Sequence, residues 1–135
     1  MSRASPAHFA MLASDGKWTL ARHLQQLNQA ILETINGVDG VRRLLVMMPP
    51  RHGKSELCSK YLPAWYLGTY PDRRVMLTSY EATFAAEWGR KARELLREHG
   101  PLFGVRVAKS PAAAEENGQG SRRRRVVLCQ ILIFG

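Results

Sequence analysis

Residues 44–55, Leu-Leu-Val-Met-Met-Pro-Pro-Arg-His-Gly-Lys-Ser, constrain this chain more than any other stretch. Leu44 to Met48 is an apolar run of strand length, set between Arg42–Arg43 and the breaker pair Pro49–Pro50. Gly53, Lys54 and Ser55 then complete the second half of the phosphate-binding pattern Gly-x-x-x-x-Gly-Lys-Ser/Thr, with Met48 standing at the first glycine position. In that pattern backbone N–H groups cradle phosphates, the lysine reaches the β- and γ-phosphates, and the hydroxyl ligates Mg²⁺. Glu56 to Leu62 reads as the first stretch of a helix, whose N-terminus offers N–H groups and a favourable dipole to an anion. Strand, loop and helix in this order predict a nucleotide-phosphate site. The alternative is a turn that contains Gly-Lys-Ser by chance.

Periodicity supplies the surrounding elements. Leu20, Leu24, Leu27, Ile31 and Ile35 recur at intervals of three and four, which places them on one face of a helix over 18–35. Asn36 to Gly40 closes that helix with turn residues. Pro63 kinks or restarts the helix after the loop, and Gly68 to Asp72 ends it as a turn. Arg74 to Tyr80 reads as a second strand. Glu81 to His99 reads as a long helix with Phe84, Trp88, Ala92 and Leu95 on one side and Arg90, Lys91, Arg93 and Arg97 opposite, stopped by Gly100–Pro101. Alternation of helix and strand predicts an α/β fold, a P-loop NTPase-like parallel sheet with flanking helices, incomplete at this length. Ligands then gather at the carboxyl ends of the strands, beside the loop after Met48 and near Thr78-Ser79-Tyr80. Those three residues read equally as ordinary polar caps.

Composition narrows the classes. A chain of 135 residues with 45% apolar content suffices for one domain. No apolar run approaches the roughly 20 residues needed to span a membrane, and nothing behind Met1 resembles a secretory signal. Cys58 and Cys129 have no metal-ligand spacing and read as packing residues of a reduced intracellular protein. The net charge of +9 suits a polyanionic partner. Arg122 to Arg125 supply four of those charges, however, and residues 1–120 carry 16 basic against 11 acidic side chains.

Pro-Pro-Arg-His-Gly-Lys-Ser is more particular than the general motif, and it resembles the variant phosphate loop of the large terminase subunits of tailed bacteriophages. The likeness continues through Glu56-Leu57, Pro63 to Gly68, Pro71 to Val75, Thr78-Ser79-Tyr80, Phe84 to Arg93 and Leu102 to Val105, in the order and spacing of a terminase ATPase domain. The resemblance implies ATP and Mg²⁺ as cofactors, a nucleotide site of Pro50, Arg51, His52, Gly53, Lys54 and Ser55, and Mg²⁺ at Ser55. It implies catalytic roles for Lys54 and for Arg51, the one arginine inside the loop, as the finger that stabilises charge on the transferring phosphoryl group. His52 reads as a loop-shaping residue. Gln25, Gln26 and Gln29 lie where terminases contact adenine, and read otherwise as solvated helix positions. The implied partners are double-stranded DNA, the small terminase subunit, the portal protein and further copies of the chain, in the cytoplasm of a bacterial host and without a membrane. A helicase-like ATPase acting on nucleic acid and a non-enzymatic remnant are the other readings.

Hydrolysis asks for a second strand ending in an acid, and no strand-like run of four apolar residues here ends in one. From about Lys109 the likeness stops. Residues 109–135 form an atypical basic tail, either a native arm followed by a strand or an out-of-frame ending. The expected division is a flexible leader at 1–16, a partial ATPase domain at 17–108, and that tail.

Overall fold

The computed structural model describes residues 5–79 and 81–107. Among these residues four α-helices carry the fold: α1 (Pro6–Ala13), α2 (Arg22–Asn36), α3 (Leu62–Thr69) and α4 (Ala82–Phe103). A π-helical stretch, Glu56–Tyr61, runs directly into α3, so that the helical run after the loop begins at Lys54 and continues to Thr69.

Among the described residues the expected parallel sheet is absent. The described residues are 63% helix and include no strand. The two segments expected as strands do run without helix or turn, at 41–49 and 74–79. Along the first, Leu44, Val46 and Met48 pack on the helical core, while Leu45 and Met47 are 61% and 81% exposed. Val75 repeats the pattern beside the exposed Met76. This alternation is what one buried face of an extended segment produces. A strand also needs a hydrogen-bonded neighbour, and none of the backbone bonds among the described residues joins these two segments. The apolar run specified an extended backbone with one face inward. It could not specify a partner.

Residues 6–13, expected within a flexible leader, form α1. Ser5 caps the helix by accepting a hydrogen bond from the His8 N–H (3.2 Å), and Pro6 occupies the first turn, where a missing N–H costs nothing. Phe9 is fully buried and meets the rings of Phe103, His99 and Tyr61 edge-on, at centroid distances of 5.3, 5.8 and 6.5 Å. The Ala7 N–H is taken by the Asn28 Oδ1 (3.0 Å), which ties α1 to α2 inside the core.

Helix α2 follows its predicted face. Leu24, Leu27 and Ile31 are buried, and Gly37 ends the helix in the left-handed conformation (φ 65°). Helix α4 outruns its predicted stop. Pro101 lies inside it, and the chain turns only at Gly104 (φ 71°), whose N–H reaches the carbonyls of Gly100 and Pro101. The inward residues are Ala92, Leu95, Leu96, Gly100 and Phe103, so the C-terminal half of α4 docks. Phe84, in the N-terminal half, is 36% exposed and stacks edge-on with Trp88. The core thus lies where α1, the π-helical stretch, α3 and the end of α4 meet.

After α3, Arg73 donates to the Tyr66 hydroxyl (3.1 Å) and lies over the Tyr70 ring at 4.6 Å. These contacts fasten the turn at 70–73. The bond to Tyr66 raises the Arg73 pKa above its ordinary value. Arginine stays protonated well above neutrality in any case, so the stabilisation is present throughout the working pH range and is lost only at extreme alkalinity.

Candidate phosphate-binding loop

The loop that follows Met48 is built around two left-handed residues. Arg51 has φ 64° and Gly53 has φ 78°. Glycine adopts this conformation freely, whereas a side chain at Arg51 costs about 1–2 kcal/mol. Helix geometry resumes at Lys54, and the Leu57 N–H donates to the Gly53 carbonyl (3.1 Å). In helix geometry the N–H groups of the first turn precede the i to i−4 ladder. Those of Ser55 and Glu56 therefore point back towards the loop.

Helix α2 closes the loop from behind. A methyl group placed on Gly53 would lie 3.2 Å from Leu24 Cδ1. His23, one residue earlier on α2, donates from Nε2 to the His52 carbonyl (3.0 Å). The His52 ring folds back so that its Nδ1 donates to the Pro50 carbonyl (2.9 Å). A carbonyl can only accept, so each imidazole carries its proton on the bonding nitrogen. The two rings lie 5.8 Å apart, tilted by 71°.

The sequence-predicted residues are distributed as follows. Pro50, Arg51 and His52 are exposed, Gly53 and Ser55 are half-buried, and Lys54 is 7% exposed. Lysine is seldom buried to this degree. Met48, at the position of the missing first glycine, packs on the core and so anchors the start of the loop. Gln25, Gln26 and Gln29 lie elsewhere. They line an open groove of about 680 Å³ together with Ser5, His8 and Glu33, and none of the loop residues borders it. Gln29 donates to Glu33 (2.9 Å) one turn along its own helix. Thr78 and Ser79 are exposed; Tyr80 and the tail at 109–135, with Cys129, lie outside the described residues. Cys58 is buried in the core as a packing residue.

His23 is the loop contact that sequence reasoning missed. It stands 29 residues before its acceptor on an otherwise ordinary helix, and no local pattern connects the two. Among the described residues no group of three or more His, Cys, Asp and Glu side chains could hold a metal ion, and no helix is long and apolar enough to cross a membrane. Comparison with protein-family models, with curated proteins and with solved structures returned no match.

Proposed function

We propose that the loop at 48–55 binds the phosphates of ATP, and that the chain is the N-terminal part of the ATPase region of a terminase large subunit. The observation that carries the first statement is the conjunction at 53–56. A left-handed glycine leads directly into a helix whose first-turn N–H groups precede the backbone ladder, and Lys54, the first residue of that helix, is buried. Such a turn gathers N–H dipoles and the positive end of a helix on one side of the chain, which favours a polyphosphate over a neutral ligand.

The residues present fit that group. The N–H groups of Ser55 and Glu56 would donate to phosphate oxygens, and Gly53 lets the backbone approach closely. The Lys54 ammonium would neutralise the outer phosphates, and the Ser55 hydroxyl would hold Mg²⁺. When bound, Mg²⁺ would supply charge neutralisation across the β- and γ-phosphates. Arg51, exposed at the crest of the loop, is free to swing towards an outer phosphate. The proposal is for binding; turnover would need an acid that no strand-like apolar run in this sequence supplies.

Terminase membership, with double-stranded DNA, the small subunit, the portal protein and further copies as partners, rests on the resemblance of residues 44–93. Bacterial cytoplasm as the compartment rests on the same resemblance.

Calorimetric titration of the whole chain with MgATP tests the phosphate site, with Lys54→Ala alongside. Saturable binding that disappears in the variant is the expected result. Binding unchanged by Lys54→Ala would remove the loop from the account, because attraction to a chain of net charge +9 would then suffice.

A further inference from the structure

We propose that His23 is a positioning residue for the phosphate loop: its imidazole holds the His52 carbonyl outward, so that the first N–H groups of the following helix stay available to an anion. The inference rests on the phosphate-binding reading and assigns it a new determinant, on a different element.

Two donors compete for the same carbonyls. If the helix that starts at Lys54 were to wind one turn further back, its ladder would pair the Glu56 N–H with the His52 carbonyl. The carbonyl offered to Lys54 would be that of Pro50. Those two carbonyls are the ones the imidazoles hold. His23 Nε2 donates to the His52 oxygen at 3.0 Å, and His52 Nδ1 donates to the Pro50 oxygen at 2.9 Å. Both distances are those of well-formed hydrogen bonds. The left-handed angles at Arg51 and Gly53 oppose backward winding as well.

The two bonds differ in origin. That of His52 is local and would form in any turn of this shape. That of His23 comes from α2, whose next residue, Leu24, is buried and lies against Gly53. The position of the loop is thereby fixed to the helical core instead of being left to its own residues. His23 itself is exposed, so replacing its ring removes a donor without opening a cavity.

The test compares the whole wild-type chain with His23→Leu, which has no donor, and His23→Gln, which keeps an N–H donor on a side chain of similar reach. MgATP affinity, thermal unfolding and amide hydrogen exchange at Ser55 and Glu56 are measured for each, with Lys54→Ala as control. The loss of one such hydrogen bond predicts MgATP affinity lowered about fivefold in His23→Leu. His23→Gln should stay near wild type, with both melting transitions in place and slower exchange at Glu56, whose N–H is then drawn into the ladder, only in the leucine variant. Equal affinities for wild type and His23→Leu, with binding still dependent on Lys54, would overturn the positioning role and leave the phosphate site standing. An equal loss in both His23 variants would overturn it too, since donation of an N–H would not be what matters. Wild-type chain that fails to bind MgATP, or binds it without Lys54, would overturn the phosphate site and the positioning role together.

Discussion

Arg51 and Gly53 hold the loop in a conformation that their side chains either oppose or permit. Gly53→Ala would place a methyl group 3.2 Å from Leu24 on a backbone with φ 78°. The left-handed penalty alone predicts a loss of about 1–2 kcal/mol, and chemical denaturation of the whole chain reads it directly. At Arg51 the sign reverses, because Arg51→Gly relieves strain at φ 64°. The chain should then become slightly more stable, by less than about 1 kcal/mol once the extra freedom of glycine in the unfolded chain is counted, and a lower denaturation midpoint would contradict this. Gly-Lys-Ser could be singled out as a candidate site because its chemistry is local: one glycine, one ammonium, one hydroxyl in sequence. His23 could not, since its contact arises from the docking of α2 on the loop.

At the scale of elements, helices with a regular apolar stripe were legible, while α1 and the pairing of the extended segments were not. The intervals among Leu24, Leu27 and Ile31 are a property of one segment, and burial followed them. The runs at 44–48 and 74–79 encode an inward face but no neighbour, so a sheet inferred from them went beyond what they contain. The start of α1 was written in Ser5-Pro6, a cap followed by a first-turn proline, yet the small and polar residues around it masked the signal. Its importance shows in Phe9, which touches three other aromatic rings. Phe9→Ala should cost roughly 3–5 kcal/mol, measured by urea unfolding, whereas an unfolding curve close to wild type would return residues 6–13 to the status of a leader. The joint between α3 and α4 is equally specific. A methyl group on Gly68 would come within 2.6 Å of the buried Phe103 ring. Overpacking of about 1–3 kcal/mol outweighs the gain of up to about 1 kcal/mol in helix propensity, so Gly68→Ala should lower the melting temperature.

For the whole molecule, two surfaces govern behaviour in solution. Val41, Leu45, Met47 and Met76 leave large apolar side chains exposed along the extended segments. Exposed apolar side chains of this size favour association. Met47→Lys should therefore reduce concentration-dependent self-association in sedimentation velocity while leaving helical content unchanged; identical sedimentation of the two proteins would dismiss that effect. The second surface is the excess of positive charge, which attracts any polyanion and can imitate a nucleotide site. Location separates the two. The decisive measurement is an amide chemical-shift titration of the isotopically labelled chain with MgATP. The account predicts saturable shifts concentrated at Gly53, Ser55 and Glu56, and lost in Lys54→Ala. Shifts that leave those amides unmoved and spread over the exposed arginines of α4, such as Arg90 and Arg97, would contradict it.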